Sequence, residues 1–309
     1  MMDKKQYIKD VSDFIDYFVK LILAKLILKD GKLILIDGEQ FHHQFQLPAQ
    51  SKNNNQVHNQ TGIYEGFEEF LETDRKLTFN SLEDAYKRYW WNKKNYKENK
   101  KILDELKNKI KAFHNKEDRD PNECYELIKE VFKWGGVWHV NKKGVGKVEN
   151  KDHLIKLEDA IKEMNSQNPD LDVFDKERSR MNAGYTKYYS LACKDVIIYD
   201  GRVGAALGLI ARKFCEDRNK NKVPSELNFR WGPARNSELN RDPSESNYKF
   251  IKFNANDRKH AESNIRASWI IVEALERAKS KKPDITWASD KEIDIRMIEA
   301  ALFIIGYSL

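Results

Sequence analysis

An amine and a carboxylate, thirteen residues apart, are the groups of this chain best suited to chemistry. Lys187 follows a glycine-containing turn at residues 182–186, and Asp200 precedes an apolar segment that begins at Gly201. An amine can attack a carbon centre as a nucleophile, and a carboxylate can stabilise the positive charge that develops there. The pair therefore predicts covalent catalysis with electrostatic stabilisation, provided that the fold brings the two groups together.

The local sequence around each of these residues bears on its role. Lys187 falls in the first turn of a helix predicted to start near Tyr185, where a cation opposes the helix macrodipole, and this departure favours a functional role. The backbone amides of the Gly184 turn are expected to hold a phosphate. Asp200 is also suited to be the N-cap of the following helix, because aspartate is a preferred N-cap residue.

Apolar residues at three- and four-residue spacings make the C-terminal half mostly helical. The predicted helices cover residues 154–164, 185–193, 202–217, 261–278 and 292–305. A strand-like run at residues 196–199 leads to Asp200. A polar stretch over residues 218–258 interrupts the helices, and its aromatic residues argue against disorder. Gly204 and Gly208 should let another element pack closely on their helix.

The N-terminal half mixes helices with short strands. Residues 10–28 predict a helix, residues 32–36 predict a strand that pairs with residues 38–47, and Ser81 begins a further helix. The asparagine- and glutamine-rich residues 49–62 predict a loop.

A lysine-rich segment with interleaved aromatic residues covers residues 87–116. Its apolar stripe favours a long helix with a solvated lysine face, and a face that tracks DNA phosphates is the alternative. Another helix is predicted over residues 123–134, with Gly135 or Gly136 as its left-handed cap. The sequence KGVGK at 143–147 also resembles a DNA-binding hairpin, but charged residues follow where an apolar helix should begin.

Composition limits the classes of protein to consider. Among 309 residues the net charge is +6, which fits a polyanionic partner but also fits an enzyme without one. The three cysteines form no CxxC pair and the histidines show no HExxH spacing, so no disulfide framework, metal site or cofactor is expected. His42 and His43 are predicted to form a surface pair. The widely spaced cysteines favour a reducing cytoplasm as the compartment. Charged residues interrupt the apolar window at 17–36, so we expect no membrane span.

The segment around Lys187 resembles the helix-hairpin-helix DNA glycosylases, in particular the branch similar to 8-oxoguanine DNA glycosylase. Gly184 matches the hairpin glycine of that family, Thr186-Lys187 matches its T-K pair, and the sequence IIYDGRVGAAL at 197–207 matches the region around its aspartate. About thirty residues match well and residues 120–309 match loosely. The sequence departs from the family at residues 181–183, which replace the apolar and proline positions of the hairpin.

The resemblance implies a mainly α fold, with a helix-hairpin-helix glycosylase-like domain at 121–309, a long insertion at 218–258 and an N-terminal α+β region at 1–120. It implies excision of a damaged or modified base that is flipped out of the DNA, with Lys187 and Asp200 as catalytic residues. The unusual insertion raises the hypothesis of a hypermodified phage base, and so of antiviral defence in place of DNA repair. The implied partner is DNA, bound by a monomer.

Further residues are assigned by the same resemblance and by residue type. The residues expected to contact DNA are Gly184, Tyr185, Thr186 and Arg202. The residues expected to line the substrate pocket are Trp231, Arg230, Arg235 and Asn264. The aromatic and arginine residues at 228–235 are equally suited to anchor the long segment to the core. A non-catalytic DNA-binding protein that retains the fold, and a nuclease or partner-binding protein with a coincidental match, are the alternative functions.

Overall fold

The computed structural model describes residues 3–29, 32–47, 76–145, 151–175, 177–288 and 291–309. Over these residues the chain is mainly α-helical, as predicted. The helices are α1 (Lys4–Asp10), α2 (Ser12–Leu23), α3 (Leu82–Lys87), α4 (Tyr96–His114), α5 (Pro121–Trp134), α6 (Trp138–Val145), α7 (Lys151–Met164), α8 (Tyr185–Ala192), α9 (Gly201–Asp217), α10 (Asp257–Lys281) and α11 (Ile295–Ile305).

The strands of the described residues form two-stranded antiparallel sheets. The pairs are β1 (Lys25–Lys29) with β2 (Lys32–Asp37), β3 (His43–Gln46) with β4 (Lys76–Phe79), β5 (Trp90–Trp91) with β6 (Lys94–Asn95), and β7 (Thr286–Trp287) with β8 (Lys291–Glu292). Sheets of this size bury little by themselves, so helices supply most of the apolar core.

The chain divides into two compact units that interleave along the sequence. The first unit combines Met1–Tyr7, Glu98–Asp200 and Phe253–Trp269, and the second combines the remaining residues. In the first unit, α5 packs against α6, α7 and α8. In the second, α9 packs against α2 and α11. Both Lys187 and Asp200 belong to the first unit.

The N-terminal strands differ from the prediction. The helix predicted to reach residue 28 ends at Leu23, because residues 25–29 satisfy their backbone groups by pairing with β2. The predicted hairpin partner, residues 38–47, contains β3, which pairs with β4 instead. The β1–β2 hairpin leaves aliphatic residues of β2 exposed on both faces, with Leu33 at 50% and Ile36 at 52% exposure. The predicted loop at 49–62 lies outside the described residues.

Several predicted helix ends are confirmed. Ser81 caps α3, where its Oγ accepts a hydrogen bond from the Asp84 N–H at 3.0 Å. Helix α5 ends before Gly136, which has φ +66°, a conformation that favours glycine.

Gly208 lets Pro243 approach α9 closely, as predicted, since a Cβ added at Gly208 would lie 2.5 Å from the Cγ of Pro243.

Two other predictions need correction. The long lysine-rich helix begins only at Tyr96, because Trp90 and Trp91 pair with residues 94–95 as a short hairpin. His43 is buried and not part of a surface pair, and its Nε2 bonds the carbonyl oxygen of Ser308 at 2.8 Å. The lysine face of α4 is solvated as predicted, with the side chains of Lys101, Lys107 and Lys111 exposed.

The long segment at 218–258 is packed, as its aromatic residues predicted. Phe229, Trp231 and Phe250 are buried, and the N–H of Trp231 donates to the carbonyl oxygen of Ile251 at 3.2 Å. The segment contains a 3-10 turn at Ser225–Leu227. In the described part of the chain, every helix is too short or too polar to cross a bilayer.

Candidate active site

Asn182 organises the turn that precedes α8. Its Oδ1 accepts from the backbone N–H of Gly184 (2.8 Å) and of Tyr185 (3.3 Å), and its carbonyl oxygen accepts from the N–H of Thr186 (3.0 Å). The Nδ2 of Asn182 donates to Asn141 Oδ1 at 2.9 Å, which orients the amide. The amides that open the helix are therefore satisfied within the chain.

This arrangement changes the role of the glycine turn. Gly184 has φ −84° and ψ −57°, an ordinary helical conformation, so no left-handed turn requires it. Its small size matters instead, because an added Cβ would lie 2.9 Å from Phe132 Cζ. The side chains of Tyr185 and Thr186 are buried. Direct contact of these turn residues with DNA stays a prediction, and it would require the turn to rearrange.

Lys187 lies in the first turn of α8 and is only 6% exposed. Its Nζ donates to the carbonyl oxygen of Ala183 at 2.7 Å. Its aliphatic stem passes Gly135 directly after α5, where an added Cβ would collide with the lysine Cδ and lie 2.6 Å from Cε. Gly135 has helical φ and ψ. Glycine therefore leaves the space that the lysine stem occupies, and a side chain at this position would have to displace the lysine.

Side chains, and not a strand ladder, hold the backbone just before Asp200. The predicted strand-like run at 196–199 forms no strand. The N–H of Tyr199 donates to Thr186 Oγ1 at 2.8 Å, and the carbonyl oxygen of Tyr199 accepts from His260 Nε2 at 2.8 Å. Both backbone groups of the residue before Asp200 are thus fixed from α8 and α10.

Two further side chains hold Ile197 in the same way. Its N–H donates to Ser268 Oγ at 3.2 Å, and its carbonyl oxygen accepts from Asn264 Nδ2 at 2.9 Å. The same Nδ2 lies 3.2 Å from Thr186 Oγ1. We call Thr186, His260, Asn264 and Ser268 the polar clamp. All four are buried, so their hydrogen bonds are shielded from competing water.

His260 lies in the electrostatic surroundings of both predicted chemical groups. Burial lowers the pKa of its imidazole to about 4, the charges of Asp200 and Asp257 act to raise that pKa, and the charge of Lys187 acts to lower it. The ring is therefore neutral at pH 7, and Nε2 carries the proton donated to the Tyr199 carbonyl. The residues that precede the two groups, Thr186 before Lys187 and Tyr199 before half-buried Asp200, are joined by the 2.8 Å hydrogen bond described above, and both groups belong to the first unit.

Asp257 ties the chain before the turn to the start of α10. Its Oδ2 accepts from Arg180 Nε at 2.6 Å and from the Met181 N–H at 3.0 Å. Neither Asp257 nor His260 is part of a recognisable motif. The available signal was the four-residue spacing of His260, Asn264 and Ser268, which places three polar side chains on one helix face.

The remaining predicted site residues have the following places. Asn264 belongs to the first unit, where its side chain bonds the backbone before Asp200. Arg202, Arg230, Trp231 and Arg235 belong to the second unit. The guanidinium of Arg202 lies among aromatic rings of its own unit, 4.3 Å from the ring centre of Phe303. Trp231 anchors the 218–258 segment. Substrate contacts by these residues stay predictions.

The described residues contain no group of three histidine, cysteine, aspartate or glutamate side chains that could hold a metal ion. The cysteines are buried and free, and burial raises the pKa of the Cys124 thiol to about 12. Comparisons with models of protein families, with curated proteins and with solved structures found no match to this chain.

Proposed function

We propose that this chain is a DNA glycosylase that excises a damaged or modified base, acting as a cytoplasmic monomer with a helix-hairpin-helix core. The observation that carries the proposal is the 2.8 Å hydrogen bond from the Tyr199 N–H to Thr186 Oγ1, which joins the residue before Asp200 to the residue before the buried amine of Lys187 in one compact unit. A lysine is costly to bury, so its buried position favours a chemical role for the amine.

In the proposed reaction, the Lys187 amine forms a bond to the sugar C1′ of a flipped nucleotide. The glycosidic bond breaks, and its electron pair leaves with the base, which takes up a proton. Asp200 stabilises the positive charge that develops on the sugar ring. One amine proton goes to the departing base, and the other goes to the ring oxygen as its bond to C1′ breaks, which leaves an imine. Loss of a proton from C2′ then expels the 3′ phosphate with the electron pair of its bond to C3′. If water attacks instead, the same carboxylate orients it and no imine forms.

The alternative function is a DNA-binding protein without catalysis. The hydrogen bond of the Lys187 amine to the Ala183 carbonyl favours it, because this bond gives the lysine a structural partner. The two functions differ in one measurable respect, since only the enzyme must release Nζ from this carbonyl to reach a sugar carbon.

The test is base release from duplex genomic DNA, with and without modified bases, measured as abasic sites formed in a single turnover. We expect Asp200→Asn to lose base release while DNA binding and folding stay nearly unchanged, because asparagine is also a good N-cap. Borohydride added during turnover should trap a covalent adduct with the wild type but not with Lys187→Gln. Lys194, exposed on the same unit, provides the matched control variant Lys194→Gln.

Each outcome has a distinct meaning. Full base release by Asp200→Asn would refute the catalytic assignment of Asp200. An active enzyme without an adduct would make water the nucleophile and give Lys187 a positioning role. DNA binding without base release on any of these DNAs would establish the non-catalytic alternative.

A further inference from the structure

The imidazole of His260 is held rigidly in the first unit. The ring stacks on Phe253 with 4.3 Å between ring centres and 26° between planes, and it meets the ring of Tyr199 edge to face at 6.0 Å. Its Nε2 donates to the Tyr199 carbonyl oxygen at 2.8 Å. Two aromatic contacts and one hydrogen bond therefore fix both the position and the rotation of the ring.

The Tyr199 carbonyl that accepts this hydrogen bond is covalently bonded to the nitrogen of Asp200. The carbonyl group of Tyr199 and the N–H of Asp200 belong to the same planar peptide group. A hydrogen bond that fixes the direction of this carbonyl fixes the peptide plane, and the Asp200 side chain projects from the next atom of the chain. The hydrogen bond that the Tyr199 N–H donates to Thr186 Oγ1 holds only the preceding peptide group.

We propose that His260 is a positioning residue that aims the carboxylate of Asp200 through the Tyr199 carbonyl. This inference rests on the proposed glycosylase function. Loss of the bond lets the peptide plane rotate, so the carboxylate no longer faces the position where charge develops. Displacements near 1 Å at a reacting centre cost about 10²-fold in rate.

The neutrality of the ring serves the same role. A charged imidazolium beside Asp200 would offset the negative charge that the reaction needs. The charged groups around the ring are Asp200, Asp257 and Lys187, and burial outweighs the two carboxylates in keeping the ring neutral. A neutral donor therefore positions the carboxylate without cancelling its charge.

The experiment compares His260→Gln with His260→Met, two flexible side chains of similar length of which only glutamine carries an N–H donor. A third variant, His260→Phe, keeps the stacking on Phe253 but has no donor. We expect the methionine and phenylalanine variants to release base 10- to 100-fold more slowly in a single turnover, with duplex DNA affinity unchanged within twofold. Glutamine should restore the rate to within about fivefold of the wild type.

Two readouts separate this inference from the proposed function. Borohydride trapping on DNA with a preformed abasic site needs the amine but not base expulsion. The yield of trapped adduct should therefore stay within twofold of the wild type in all three variants. Hydrogen exchange at the Asp200 amide needs no activity, and we expect it to accelerate in the methionine and phenylalanine variants and to recover with glutamine.

Equal base release by the wild type and the methionine variant would overturn the positioning role while leaving the glycosylase standing. Equal exchange at Asp200 in all variants would overturn it even for a wild type that releases no base. If glutamine behaves like methionine, the hydrogen bond is not the cause and the inference fails. If only the His260→Phe variant fails to fold, the comparison of His260→Gln with His260→Met still decides the question.

Discussion

Gly135 matters because the aliphatic stem of buried Lys187 occupies the space that any side chain at position 135 would need. We expect Gly135→Ala to displace Lys187 and to lower the proposed base release by about 10²-fold, since small displacements of a reacting group are costly. Overpacking should also lower the free energy of unfolding by about 1–3 kcal/mol. Single-turnover kinetics and urea denaturation measure the two effects.

Gly144→Ala is the matched control for this substitution. Gly144 lies in α6, and an added Cβ would make only an ordinary contact, 3.5 Å from Arg180 Nη1. A double-mutant cycle gives a second check that needs no activity, because Gly135→Ala should cost little stability once Lys187→Ala has emptied the space. Additive effects on stability would contradict the packing explanation.

At the scale of elements, the backbone before Asp200 should be protected although it belongs to no sheet. The N–H groups of Ile197 and Tyr199 each have a buried hydroxyl acceptor, in Ser268 and Thr186 respectively. Thr186→Val keeps the shape of the side chain and removes the acceptor, which should cost about 1–3 kcal/mol because buried donors are left unpaired. Hydrogen exchange should accelerate at Tyr199 more than at Ile197.

Ser190→Ala is the control, since its hydroxyl bonds the Lys187 carbonyl within the same helix and leaves the clamp untouched. Exchange at Tyr199 that is insensitive to Thr186→Val would show that the hydroxyl does not hold this backbone.

These elements also show what a sequence can and cannot predict. Periodicity and capping residues located the helices well, as at Ser81 and Gly136, because both signals are local. The pairing of β3 with β4 was missed because it depends on residues far apart along the chain. Lys187 and Asp200 could be selected by residue type, but Gly135 and His260 could not, because only the fold brings them to the site.

At the scale of the whole molecule, two buried histidines make stability depend on pH. Burial lowers the pKa of both His43 and His260 to about 4. Between pH 6.5 and 4 these histidines bind protons in the unfolded chain but not in the folded chain, so the free energy of unfolding must fall as the pH falls. The full loss for each histidine is on the order of 3 kcal/mol, reached below pH 4.

Urea denaturation at pH 7 and pH 4.5 measures this loss. His43→Gln keeps a donor for the Ser308 carbonyl but does not titrate, so it should lose about 2 kcal/mol less than the wild type between the two pH values. Identical pH dependence for His43→Gln and the wild type would mean that His43 is not buried in its neutral form.

The polar clamp also constrains how this chain can diverge. Ladder hydrogen bonds form whatever the side chains are, so a strand tolerates sequence drift, whereas a backbone tethered by hydroxyl, imidazole and amide groups does not. Neutral substitution should therefore be slow at Thr186, His260, Asn264 and Ser268, and a change at one should require a compensating change at another. Among homologues, these positions should co-vary as one set, even where the surrounding apolar residues have been exchanged.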